Sequence, residues 1–99
     1  MAEETQVRVR IGQELSEPRM YAVVLHNDDI TTMDFVVELL MRIFHKTAAE
    51  GAGIMMAVHE NGKGIAGVYT YDIAVTKKMQ GELMSRAHNF PLQLTVDEA

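Results

Sequence analysis

The sequence predicts a small α/β domain in which three helices cover a three-stranded antiparallel sheet, in the order β-α-α-β-α-β. Three observations carry that prediction. A β-branched apolar run opens the body of the chain, two Thr-x-x-acid capping boxes follow it, and short strand-like segments then flank one long helical stretch. With 99 residues the chain can bury one modest core but cannot enclose a deep, multi-walled active site.

Residues 1–19 are polar and rich in Glu, Gln and Arg. Val7, Val9 and Ile11 alternate there with Arg8 and Arg10 in a strand pattern. A lone strand has too little apolar surface to offset its ordering, so residues 1–19 are expected to form a flexible extension and residues 20–99 the domain. Met20 to His26 is the first strand, ended by the turn-favouring Asn27-Asp28-Asp29. Thr31, with Asp34 three residues on, predicts the start of the first helix. Phe35, Val36, Leu39, Leu40, Ile43 and Phe44 share one face of it. Thr47 and Glu50 form the second capping box, and that helix runs to Glu60 before Asn61-Gly62 stops it. Lys63 to Tyr69 is the second strand, and Thr70 is expected to cap the third helix. On that helix Ile73, Met79, Leu83, Met84 and Ala87 fall within an arc of about 140°, the expected buried face. Pro91 follows its end, and Leu92 to Val96 is the third strand.

The charge balance narrows the function. Nine basic against fourteen acidic residues give a net charge of −5 with no basic stripe, which argues against nucleic acid as a partner. No apolar run is long enough to span a membrane, the first residues lack a signal-peptide core, and a cytoplasmic protein is expected. The absence of cysteine removes disulfides, thiolate metal sites and a thiol nucleophile. The two serines, Ser16 and Ser85, do not sit in a nucleophile elbow, so ordinary hydrolase chemistry is not expected.

The most unusual cluster is Asn27-Asp28-Asp29 at a strand end, with Thr31 and Met33 close behind. Alone it reads as a polar turn and a helix cap. No spaced metal-ligand motif accompanies it, and no metal or cofactor is expected. His59 follows Met55 by four residues, so both project from one helix face. A histidine there is also an ordinary partner for a helix C-terminus. Asn61-Gly62-Lys63-Gly64 lacks the ending of a phosphate loop and is a turn. Eight methionines is a high count, and Met33, Met55 and Met56 lie beside the polar cluster. Methionine fills cores but is also over-used at adaptable apolar binding surfaces.

Taken together, these segments resemble the ClpS family of Clp protease adaptors. The resemblance runs from Met20-Tyr21 and Val23-Val24-Leu25 through Asn27-Asp28-Asp29, Thr31 and Met33-Asp34-Phe35-Val36. It continues with Met55-Met56-Ala57-Val58-His59, Gly62-Lys63, Gly67-Val68-Tyr69-Thr70, Ala74, Thr76-Lys77 and Pro91-Leu92. Ile30 and Thr32 depart from it, standing where an aromatic residue and a proline are common, as does Val75 in place of an acidic residue.

The resemblance implies a non-enzymatic adaptor of the bacterial cytoplasm that recognises N-degron proteins. Asn27, Asp28 and His59 would accept the three donors of a free α-ammonium, and Asp29 and Thr31 would hold the following peptide backbone. Met33, Val36, Met55 and Leu92 would form the pocket for a large apolar first side chain. Asp72 and Lys77, at the start of the third helix, would dock the N-terminal domain of a ClpA-like or ClpC-like unfoldase. The alternative weighed against it is a ribosomal-stalk-like α/β interaction domain. That would need an exposed Lys-rich helix, whereas only Lys77 and Lys78 are adjacent here.

Overall fold

The computed structural model describes residues 18–99, so residues 1–17 of the expected extension, with its Val7-Val9-Ile11 strand pattern, lie outside the described residues. Arg19 is described and pairs with Glu98 at 2.8 Å. The elements are β1 (Tyr21–His26), α1 (Met33–Phe44), α2 (Ala48–Asn61), β2 (Lys63–Tyr69), α3 (Tyr71–Ala87) and β3 (Gln93–Glu98), in the expected order. The sheet order is β2-β1-β3 with both pairings antiparallel. Strand β1 is central because it is the most apolar. Val23 and Leu25 point into the helices and are completely buried, while Ala22 and Val24 alternate onto the opposite face. A bulge interrupts its pairing with β2, where Val23 faces Gly67 and Val24 faces Ile65, and Ala66 is tucked into the core.

The start of α1 corrects the sequence reading by one residue. Thr32, not Thr31, is the N-cap, its Oγ1 accepting from the Phe35 N–H at 3.2 Å. Thr31 is instead drawn back to Asp28. The face of α1 carrying Phe35, Val36, Leu39, Leu40 and Phe44 is buried as expected. At its other end the Lys77 ammonium donates to the Ile43 carbonyl at 2.8 Å, where a cation meets the negative end of the helix dipole.

In α2 the Thr47–Glu50 capping box forms in both directions, at 2.9 and 3.1 Å. Gly62 ends the helix in the left-handed region at φ 89°, where its missing Cβ removes the strain.

Helix α3 turns a different face to the core from the one its large apolar residues suggest. Ala74, Gly81 and Ser85 are buried, Ile73, Met79 and Ala87 are exposed, and Leu83 is 71% exposed. Of the predicted arc, Met84 alone is partly buried against the core. The reason is close approach. A Cβ on Gly81 would lie 2.7 Å from Leu94 Cδ2, and the Ser85 hydroxyl folds back to donate to the Gly81 carbonyl at 2.7 Å. Thr70 occupies the N-cap position of α3, but its side chain makes no capping hydrogen bond.

Candidate functional site

A cleft of about 360 Å³ opens where the loop after β1 meets the starts and ends of the two central helices. Residues 27–32 form one rim, Met33 and Val36 come from the first turn of α1, and Met55, Val58 and His59 come from the last turns of α2. The loop is held by the chain's own polar groups. The Asn27 N–H donates to the Gly62 carbonyl at 2.8 Å, which fastens the end of β1 to the end of α2 and so brings Asn27 and His59 to one cleft.

Asp28 organises the rest. Its Oδ1 accepts from the N–H groups of Ile30 (2.8 Å) and Thr31 (2.7 Å), and its Oδ2 accepts from the Thr31 hydroxyl (2.8 Å). Partial burial pushes the Asp28 carboxyl up. The backbone and hydroxyl of Thr31, the Ile30 N–H and the Arg86 charge pull it down further, leaving it below its ordinary value. It is therefore a fixed negative charge at neutral pH. Each carboxylate oxygen can accept twice, so Oδ2 keeps a free lone pair after bonding Thr31. Asp29, Asn27 and His59 stand at the rim, and among the described residues His59 has no side-chain hydrogen-bond partner. The opposite wall is thioether and aliphatic: Met33, 43% exposed, with Met55 partly buried and Val36 and Val58 nearly covered.

The structure thus gathers eight of the nine predicted cleft residues: Asn27, Asp28, Asp29, Thr31, His59, Met33, Val36 and Met55. Leu92 is not brought to it. It is 1% exposed, lies in the core, and does not line the cleft. Sequence reasoning missed Val58, Ile30 and Thr32 as lining residues. Val58 could have been found, since it follows Met55 by three residues on the same helix face. The predicted docking pair lies elsewhere on α3. Asp72 is exposed in its first turn, whereas Lys77 is partly buried, bonded to Ile43 and 5.7 Å from the centre of the Tyr69 ring. Among the described residues no three His, Asp or Glu side chains converge as a metal site, and no helix is long and apolar enough to cross a membrane.

A rim of acceptors and negative charge over an apolar floor, set on a three-stranded sheet covered by helices, defines a small α/β recognition domain. The comparisons with known proteins make the class specific. Residues 16–95 match the family described as ATP-dependent Clp protease adaptor protein ClpS, and the chain belongs to that family. It is 52% identical over 106 residues to the ATP-dependent Clp protease adapter protein ClpS of Syntrophus aciditrophicus (strain SB), with 99% of each chain covered. It is 50% identical over 97 residues to the protein of the same name from Acetivibrio thermocellus, covering 98% of both. The fold is similar to the structure of Agrobacterium tumefaciens ClpS2 bound to L-phenylalaninamide, with a TM-score of 0.81 and 32% identity over 84% of this chain and 100% of that one. This membership replaces the ribosomal-stalk alternative.

Proposed function

We propose that the cleft binds the first residue of N-degron proteins, taking the free α-ammonium at its acceptor rim and a large apolar side chain (Leu, Phe, Tyr or Trp) on its thioether floor. The protein then hands these substrates to a Clp unfoldase in the bacterial cytoplasm. The observation that carries the reading is the juxtaposition of Asp28, Asn27 and His59 with Met33, Val36, Met55 and Val58 in one cleft. The ligand of the similar A. tumefaciens structure supports it, because L-phenylalaninamide is chemically a first residue: a free amine, an aromatic side chain and an amide in place of the carboxylate.

The physics fits that division of labour. An ammonium has three donors and no acceptor, and the rim offers acceptors and a carboxylate held ionised. Covering a Leu or Phe side chain is worth about 1.5–3 kcal/mol. Thr31 and Asp29, on the outer loop, are the groups for the next peptide units. Thr31 keeps acceptor capacity because its proton already points to Asp28. The proposed role is binding without turnover, as fits the family of Clp protease adaptors. Asp72 and Lys77, both on α3, are the proposed contacts for the N-terminal domain of a ClpA-like or ClpC-like unfoldase. Lys77 acts there from a position fixed by Ile43.

The test is a calorimetric titration with peptides that differ in the first residue alone. Leu-, Phe-, Tyr- and Trp-first peptides are expected to bind at least about tenfold more tightly than Ser- or Asp-first ones, since the difference is one buried apolar side chain. Equal affinities across the set would refute the reading.

A further inference from the structure

The chain has eight methionines, and two of them form the thioether part of one cleft wall. Met33 is the first residue of α1 and is 43% exposed at the cleft mouth, while Met55 reaches the same space from α2. An exposed thioether is open to a hydroperoxide. The sulfur gives up two electrons and takes one oxygen to become a sulfoxide, and the hydroperoxide is reduced to water or an alcohol. The product is polar, larger and a strong acceptor.

The cleft is poorly built to receive such a group. The N–H groups of Ile30 and Thr31 and the Thr31 hydroxyl, which border the same space, are already bonded to Asp28. Val36 and Val58 behind the thioethers offer no polar atom from their side chains. The side-chain donors of Asn27 and His59 stand at the rim that the α-ammonium is proposed to occupy. A first side chain seated on an oxidised wall would therefore lay its apolar surface on a sulfoxide oxygen stripped of water. Met20, Met41, Met56 and Met79 are also exposed but do not line the cleft, so the same protein carries its own control positions.

We infer that Met33, with Met55 behind it, is an oxidation-sensitive modification site that switches off first-residue binding when a hydroperoxide converts it to the sulfoxide. The inference rests on the proposed function of the cleft, and the test separates the two. The full chain is titrated with a Leu-first peptide before and after hydrogen peroxide treatment, with sulfoxide positions assigned by peptide mass mapping and the fold followed by circular dichroism. Absence of binding before treatment would refute the reading of the cleft itself.

Given binding, the oxidised protein is expected to lose about tenfold to a hundredfold in affinity, the range spanned by one unpaired buried acceptor. Treatment with methionine sulfoxide reductases is expected to restore it. A Met33→Leu/Met55→Leu variant is compared with its own untreated form and is expected to keep its affinity through oxidation. Met33→Leu alone, at an exposed first-turn position, serves if the double variant does not fold. Four results would overturn the inference: unchanged affinity with sulfoxide present at Met33, Met33 left reduced when the other exposed methionines are oxidised, an equal loss in the leucine variant, or loss of the folded signal on oxidation.

Discussion

Replacing Asp28 separates two contributions that the structure joins in one carboxylate: the shape of the loop and the charge of the rim. Asp28→Ala removes the acceptor of three hydrogen bonds at 2.7–2.8 Å. Hydrogen bonds to a charged group are worth about 1.5–3 kcal/mol each when dry. Ile30 is exposed and Thr31 partly so, and water replaces much of that. The expected loss of stability is therefore near that of one helix cap, about 0.5–2 kcal/mol.

Asp28→Asn keeps an oxygen for the two N–H groups and removes the charge. Its stability at pH 7 is expected within about 0.5 kcal/mol of wild type. An ammonium 4 Å from a surface carboxylate gains about 4 kcal/mol before solvation and side-chain entropy are counted, and about 1 kcal/mol after. The Asn variant should thus bind a Leu-first peptide about fivefold more weakly.

Acid provides the third readout. The folded Asp28 titrates below the ordinary aspartate value of 3.8, so its contribution to stability is complete above that value and is lost as pH falls through the lower, folded one. The Asn variant should lack this limb. Urea denaturation at pH 7, repeated down to about pH 2.5, and calorimetric titration together read all three effects. Wild-type affinity in Asp28→Asn would refute the charge argument, and wild-type stability in Asp28→Ala would refute the claim that this carboxylate shapes the loop.

Three further outcomes are expected. His59→Ala should weaken Leu-first binding by about fivefold to tenfold, one hydrogen bond's worth, with an unchanged denaturation midpoint, because the side chain is exposed at the cleft rim; a lower midpoint would make it structural. Met33→Ala should narrow the preference for Leu-first over Ile-first peptides, since a Cβ-branched residue is stiff at χ1 and meets the mouth that Met33 borders; paired titrations with an unchanged ratio would rule this out. Gly53→Ala, with nothing within 4 Å of the added Cβ, should stabilise by about 0.5–1 kcal/mol. Gly81→Ala, 2.7 Å from Leu94, should instead destabilise by about 1 kcal/mol as overpacking exceeds the gain in helix propensity. Thermal melts that show the same sign for both would contradict the close packing of α3.

The sequence was most legible where one local interaction decides the outcome. The apolar run of β1, the reciprocal Thr47–Glu50 cap and the Gly62 stop are each settled within a few residues, and each stands where it was expected. The cleft residues were assigned through the family resemblance, because alone the polar turn reads as a helix cap and His59 as the partner of a helix end. What was not legible depends on long-range approach. Large apolar residues usually mark a helix's buried face, but α3 comes so near β3 that small ones do, and Gly81 marks the contact rather than a weakness. In isolation Thr31, with Asp34 three residues on, is a better cap than Thr32, which has Phe35 there. The demand of Asp28 for a hydroxyl partner assigns Thr31 to the loop and leaves Thr32 to the helix. Leu92 belongs to the core for a related reason. It precedes β3 on the chain, and its burial is decided by the sheet rather than by the motif around it.

The claim that one cleft reads a free amine together with an apolar first side chain is tested most directly by blocking the amine alone. Calorimetric titration of the full chain with a Leu-first peptide, and with the same peptide acetylated at its N-terminus, leaves the side chain untouched while removing the charge and two of the three donors. The free peptide should bind saturably, and the acetylated one should bind at least about a hundredfold more weakly, because the rim acceptors would be desolvated without partners. Equal affinity for the two peptides would contradict the account.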